Sequence, residues 1–282
     1  MFPLLHCAGV KFKAKCFLEC CGIFLVASLA CFGCDANDSS NDTPGGGAGA
    51  PNVGQCAAIP GALFCDDFES YAAGPAVRAN GWSPTTSSGT LTFDAVHAQG
   101  KQALHVHTEG NGRAYIQLSP FTPPANSFFG RMRVWVDAFP VAPNYAHFTL
   151  VELAGTGAGL IRPIGGQFID SQSLWGTGSD QGPTGDWTNW RTSTPTQNAR
   201  WICLEWELAA ANNAINVWID GVAKPELSVT TTTHGGSNVD FVLPTFNSIW
   251  FGWWLYQSGP TPNQYDVWLD DLALSTQKIG CQ

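Results

Sequence analysis

The amino-acid sequence predicts an all-β fold, a two-sheet antiparallel jelly roll. Three observations lead there. Several segments alternate apolar and polar residues with a period of two, and no long segment repeats its apolar residues every 3.6 positions. Turn formers are abundant, with 31 Gly and 18 Pro in 282 residues. Charge is sparse and apolar content high, at 12% charged and 44% hydrophobic residues with 12 Trp. That balance excludes a disordered chain and a coiled coil. A net charge of −9 argues against a nucleic-acid partner, which selects a basic footprint.

Residues 1–34 form a signal peptide, expected to be of the lipoprotein type. Lys11, Lys13 and Lys15 supply a positive start, and the apolar run that follows, CGIFLVASLACFG, is short for a membrane span of about 20 residues. Ala30 precedes Cys31 and Gly33 precedes Cys34. This resembles a bacterial lipobox, with either cysteine open to lipidation. Residues 35–55 read as a flexible Gly, Ser, Asn and Asp linker, able to hold a domain off a surface. The expected location is extracellular or in the cell envelope, with membrane contact through the lipid anchor alone and the domain acting as a monomer.

Residues 56–282 form one domain of strands. In ALHVHTE, His105, His107 and Glu109 share one face and Leu104 and Val106 the other. In GRMRVWVDA, Arg131, Arg133, Trp135 and Asp137 oppose Met132, Val134 and Val136. WICLEWEL separates Cys203, Glu205 and Glu207 from Ile202, Leu204, Trp206 and Leu208. Residues 214–219, then Asp220-Gly221, then Val222 predict a hairpin on an Asp-Gly turn. SIWFGWWLYQ, residues 248–257, is apolar on both faces and reads as a central strand. One of its faces fills the core, and the other, with Trp250, Trp254 and Tyr256, is placed to line a groove. Residues 264–275 give a last strand. The Gly-, Ser- and Thr-rich stretch 165–200, with Trp175, Trp187 and Trp190, reads as a long binding loop.

Acidic residues mark both ends of the domain. Asp66, Asp67 and Glu69 open it, and Asp270 and Asp271 close it. If the first and last strands pair, hard oxygen ligands meet and suit a structural Ca²⁺. The candidate ligands are Glu69, with Asp271 or Asp270, and backbone carbonyls near Gln99 and Gly100. Cys56, Cys65, Cys203 and Cys281 suggest two disulfides in an exported chain. The antiparallel register that sets Glu69 opposite Asp271 favours Cys56–Cys281 and leaves Cys65–Cys203. The short loop Cys56–Cys65 is the alternative.

The segments FCDDFES, INVWIDG and VWLDDLALS, the last followed by IGC, resemble the core domain of the fungal cellulose-induced secreted proteins and their bacterial relatives. That family is a polysaccharide-lyase-like, glucuronan-lyase-like jelly roll within the concanavalin-like sandwiches. The resemblance implies a structural Ca²⁺ near the domain ends, a cleft on a concave sheet and, for some members, cleavage of a uronate polymer by β-elimination. By position it implies Arg162, Gln167, Asp180 and Tyr265 as cleft residues. The family's histidine is expected two positions before the arginine, where this chain has Leu160, and His147 is its candidate substitute.

β-Elimination needs a cation or amide to neutralise the uronate carboxylate, a base for the C5 proton and an acid for the leaving oxygen. Arg162, Arg131 or Arg133 with Gln167 can supply the first, and His147 and Tyr265 the others. Trp135, Trp175 and Trp254 are candidate sugar platforms, since aromatic faces suit sugar C–H surfaces. The partner class is therefore a polysaccharide, expected to be acidic. Glu205 with Glu207 is a weaker candidate for paired-carboxylate hydrolysis, and the His105 and His107 pair for a metal. A non-catalytic lectin-like surface protein is the alternative reading.

Overall fold

The computed structural model describes residues 55–157, 159–180, 185–186, 188, 191–232, 242–257 and 259–281. The signal segment, the linker up to residue 54, Cys31 and Cys34 lie outside the described residues, as do Trp187 and Trp190. Secondary structure among the described residues is strands and short 3₁₀ turns. The strands, in chain order, are β1 (Ala62–Asp66), β2 (Gly74–Pro75), β3 (Trp82–Asp94), β4 (Ala103–Leu118), β5 (Phe128–Val136), β6 (Ala146–Thr156), β7 (Leu160–Ile169) and β8 (Gln172–Asp180). They continue with β9 (Gly185–Asp186), β10 (Trp201–Ala209), β11 (Ala214–Ile219), β12 (Val222–Ala223), β13 (Val229–Thr230), β14 (Thr245–Tyr256) and β15 (Gln264–Ser275).

β4 belongs to two places at once. Residues 103–109 pair with β15 on one side and β3 on the other, whereas residues 113–118 pair with β14 and again with β3. Between the halves Gly110 takes φ +55°, and at Gly112 a Cβ would lie 2.4 Å from the Ser88 carbonyl oxygen. The register between β3 and β4 slips at the same level, between Ser87 and Gly89. The sheet therefore curls into two facing antiparallel layers. The first runs β12-β11-β10-β5-β15 to the start of β4, with β1 also on β15. The second runs from the end of β4 through β14-β6-β7-β8-β9. This is the expected two-layer β-sandwich.

The layers meet through the alternating faces seen in the sequence. Trp206 of β10 reaches Phe251 of β14 with ring centroids 6.2 Å apart, and Phe128 of β5 meets Phe246 of β14 at 6.1 Å. Tyr265 of β15 stacks on Trp253 of β14 at 5.2 Å. Gly130 is a slot for Trp206, since a Cβ there would lie 2.1 Å from the indole ring. At the sandwich edge, the buried Asp66 carboxylate accepts hydrogen bonds from the Phe68 N–H, Tyr71 hydroxyl, Asn80 amide and Trp82 indole. A buried carboxyl group with four donors is held without an orphaned oxygen. The Asp220-Gly221 turn forms as expected, with φ of +50° and +76°.

Two expectations are corrected. The stretch 165–200 is not one long loop. Its first part continues β7, and β8 follows after a tight turn in which Asp170 and Ser171 take φ of +48° and +67°. The disulfides are Cys56–Cys65 and Cys203–Cys281, not Cys56–Cys281 and Cys65–Cys203. The register behind the discarded pairing does hold within the strands, where β1 and β15 pair as Ala62↔Ser275 and Asp66↔Leu272. The chain departs from that ladder beyond both strand ends. Before β1 a 3₁₀ turn, Gln55–Ala58, and Gly61 at φ +62° double the chain back, so that Cys56 returns to Cys65. After β15 the tail crosses β5 toward β10. The Ile279 and Gly280 N–H groups donate to Glu205 Oε1 at 2.9 and 2.7 Å, which delivers Cys281 to Cys203.

Two outcomes are expected. Gly130→Ala will force the Trp206 ring aside and destabilise the fold by about 1–3 kcal/mol in urea unfolding. Breaking Cys203–Cys281, which spans 78 residues, will cost about 4.5 kcal/mol by loop entropy, against about 2.5 kcal/mol for Cys56–Cys65, which spans 9. Paired Cys→Ser variants compared by chemical denaturation will give that order.

Candidate functional site

The outward face of the second layer gathers the main candidates. On β7, Gly166 faces the core, because a Cβ there would lie 2.5 Å from the Phe148 ring. Its neighbours Gly165 and Gln167 therefore face outward. Arg162 folds over Gly165, whose Cβ would lie 2.6 Å from the arginine Cδ. The register break after Arg162 creates this fold-over, and only a residue without a side chain leaves the room. On β6, His147 lies directly across from Gln167. His147 also stacks on Tyr256 of β14, with ring centroids 5.5 Å apart and planes 28° from parallel. The fold thus brings Arg162, Gln167 and His147 to one face, although 20 positions separate His147 from Gln167 in sequence.

Aromatic residues extend this face along β14 and β4. Trp254 packs beside Tyr256 at 5.8 Å, and the Arg113 guanidinium sits 5.5 Å over the Trp254 ring. Trp250 stacks on Tyr115 at 4.6 Å and donates its indole N–H to Glu152 Oε1 at 2.9 Å. Gly252 permits that pairing, since a Cβ there would lie 2.5 Å from Tyr115. The Gln167 amide oxygen and nitrogen are buried with no hydrogen-bond partner among the described residues. Arg162 and Glu152 are buried, while Tyr256 is 46% exposed.

Other candidates fall elsewhere. Tyr265 is 1% exposed and sits between the layers against Trp253, and burial raises its hydroxyl far above the ordinary range. It does not join Arg162 and Gln167. The tyrosine beside His147 on their face is Tyr256, and its signal was the alternation that set it beside Trp254. Trp175 also faces the core, edge-on to Phe139 and Phe148 at 5.3 and 5.8 Å, and so is no platform. The Asp180 backbone ends β8 opposite Leu160, but its side chain is outside what is described.

Arg131, Arg133 and Trp135 lie on the outward face of the first layer, away from Arg162. Arg133 Nε is 3.1 Å from Asp271 Oδ2, and Arg131 donates to the Asp271 and Gly280 carbonyls. Glu205 is fully buried beneath the tail, and Glu207 accepts from Asn216, so the two do not face an open site together. His105 and His107 are both held by Asp266 Oδ1, at 2.9 and 2.8 Å. Burial opposes ionisation of Asp266, yet the hydrogen bonds from His107 and His105 together hold its carboxyl below the usual range.

The acidic ends of the domain do meet. A cleft of about 500 Å³ is lined by Asp67, Glu69, Gln99, Asp270 and Asp271, with the two arginines at its side. Asp271 takes φ +49° in a bulge of β15, which turns two successive carboxylates toward the cleft. Asp270 Oδ2 accepts the Gln99 N–H at 3.0 Å, and its Oδ1 accepts the Asp271 N–H at 2.8 Å. Burial pushes the Asp270 carboxyl up to about 7, with the Asp271 and Glu69 charges adding to the effect. Glu69 Oε2 accepts the Lys101 N–H at 2.7 Å, and its carboxylate fills the space a Cβ on Gly100 would occupy. No group of three His, Cys, Asp or Glu side chains among the described residues is spaced to hold a metal by itself.

Comparison with known proteins fits this architecture. No curated protein matches the sequence. The structure of the cellulose induced protein Cip1 is similar over 78% of this chain and 100% of its own, with a TM-score of 0.56 at 18% identity. A sialidase structure is similar over 78% of this chain and 19% of its own, with a TM-score of 0.48 at 10% identity. The botulinum neurotoxin serotype C1 binding domain aligns with 78% of this chain and 49% of its own, again at a TM-score of 0.48 and 10% identity. The family model for the polysaccharide-lyase-like, Cip1-like core domain matches residues 67–277. The chain therefore belongs to the Cip1-like, polysaccharide-lyase-like family.

Proposed function

We propose that the chain is an exported carbohydrate-active protein that cleaves a uronate-containing polymer by β-elimination on the outward face of the second layer. The observation that carries this is the placement of His147, across from Gln167 and stacked on Tyr256. Arg162 and the Gln167 amide neutralise the uronate carboxylate, which acidifies the C5 proton. His147 takes that proton. The freed electron pair forms the C4–C5 double bond as the C4–O bond breaks, and the Tyr256 hydroxyl gives its proton to the departing oxygen. Trp254 and Tyr115 supply partly exposed rings along the same strands, with Trp250 packed beneath Tyr115. Arg113 and Arg162, against Glu152, leave this face with a surplus of cations on an acidic protein. The two disulfides support export, and the lipid anchor at Cys31 or Cys34 rests on the signal segment alone.

The lectin-like reading is favoured by one observation, that Leu160 stands where the family's histidine is expected. Purified protein with glucuronan or alginate will release the ultraviolet absorbance of unsaturated uronates. His147→Ala and Tyr256→Phe will each lower the rate about 10²–10⁴-fold while the melting curve stays in place. Retention of the polymer without product selects the lectin-like reading, and neither retention nor product rejects both.

We further propose a structural Ca²⁺ between the chain ends, held by the Glu69 and Asp270 carboxylates with backbone carbonyls near Gln99. The donor set fits, since it is all oxygen, partly buried and shaped by Gly100 around Glu69. Asp271 is turned toward Arg133 and is the weaker ligand of the two. Calcium will raise Tm relative to chelator by several degrees, and Asp270→Asn or Glu69→Gln will remove the increment in differential scanning fluorimetry. Equal Tm with and without calcium rejects the site.

A further inference from the structure

The outward face of the first layer carries a second set of aromatic side chains, apart from those beside Arg162 and His147. Cross-strand register aligns them in a row. Thr92 of β3 pairs with His105 of β4, His105 with Trp268 of β15, Trp268 with Trp135 of β5, and Trp135 with Trp201 of β10. Strands lie about 4.8 Å apart, so the row from His105 to Trp201 spans about 14 Å, the length of a few sugar rings. The rings pack in sequence. His105 stacks on Trp268 at 4.1 Å and 10°, while His97 stacks on Trp135 at 4.1 Å and stands edge-on to Trp268 at 4.4 Å. Trp201 meets Trp135 at 6.2 Å. Trp268 is the buried floor, and His97, His105, Trp135 and Trp201 are partly exposed around it.

Carboxylates fix the polar edges of these rings. Trp268 donates to Asp94 at 3.0 Å, and Trp135 to Asp137 at 2.6 Å. His105 sits between Asp94 Oδ2 at 2.8 Å and Asp266 Oδ1 at 2.9 Å. The ring planes are therefore set before any ligand arrives, which lowers the ordering cost of binding.

We infer that this face is a second carbohydrate-binding surface, selective for a neutral hexose polymer. Ring faces take sugar C–H surfaces. Asp94, Asp137 and Asp266 accept hydrogen bonds from hydroxyls and repel a polyuronate. Asp137 stands half exposed at the rim, placed for that contact. Arg131 and Arg133, the nearest cations on β5, are turned to Asp271 and the tail, and Arg200 beside Trp201 is paired with Asp220. The surface lies on the opposite layer from Arg162, so it stands or falls independently of the lyase reading.

The test is affinity electrophoresis of the protein through gels containing hydroxyethylcellulose, galactomannan or polygalacturonate. A neutral polymer will retard the protein, and Trp135→Ala with Trp201→Ala will weaken that retardation at least 10-fold. Arg162→Ala will leave it unchanged. Trp201→Ala alone, at the edge of the row, gives the readout should the Trp135 variant fail to fold. Shielding of tryptophan fluorescence from iodide by cellohexaose or mannohexaose, lost in Trp201→Ala, is the matching signal in solution. Absence of retardation by either neutral polymer overturns the inference. So does retardation that survives loss of both tryptophans, or that disappears with Arg162→Ala.

Discussion

Both layers of this protein depend on one strand bending in mid-course. β4 gives its first half to one layer and its second half to the other, and Gly110 and Gly112 absorb the turn. β3 must bend at the same level, because a Cβ on Gly89 would lie 2.5 Å from the His107 carbonyl. Backbone hydrogen bonding leaves little freedom here, since the pair stays laddered on both sides of the bend. A strand that changes layer also changes what its outward residues serve. His105 and His107 look out from the first layer, and Arg113, Tyr115 and Gln117 from the second. One strand thereby feeds two unrelated surfaces.

Sparse charge sharpens how those surfaces differ. The buried acids are each tied to specific donors. Asp66 collects four around the first strand, Glu205 takes two N–H groups of the tail, and Glu152 takes the Trp250 indole. Asp270 is the costlier case, because its backbone donors do not offset burial beside Asp271 and Glu69. Such a carboxylate has most to gain from a cation, which ties the chemistry of the chain ends to the stability of the sandwich. On the outward face of the second layer the balance reverses, with Arg113 and Arg162 over one buried glutamate, Glu152, among the described residues.

Much of the sandwich was legible because alternation is a direct signature of a half-buried strand. β5, β10, β11 and β15 lie where their apolar faces placed them, with Met132, Val134 and Val136 inward and their neighbours outward. β7 and β8 were not legible. Their inner face is filled partly by glycine, threonine and a single tryptophan, so no apolar period marks them, and the composition imitates a loop. The disulfides escaped for a different reason. Register holds only while two strands stay paired, and both cysteine-bearing ends leave the ladder at Gly61 and after Ser275. Tyr265 and Tyr256 show the limit of positional reasoning in the cleft. Counting back from Asp271 finds a tyrosine, whereas only the third dimension says that β15 turns it inward. Alternation along β14 had already marked the other one.

The position of β15 has a consequence for how the protein is made. It is the last of the described strands in chain order, yet it lies inside the first layer, hydrogen-bonded to β1, β4 and β5. Until it arrives, the gap between β4 and β5 stays open and the apolar inner faces have no complete partner. A chain emerging from its amino end therefore cannot finish this domain piecemeal. The growing chain must be kept from sticking to its neighbours until β15 is free to insert. The same strand then hands the tail across to β10, so the segment that completes the first layer also fastens it shut.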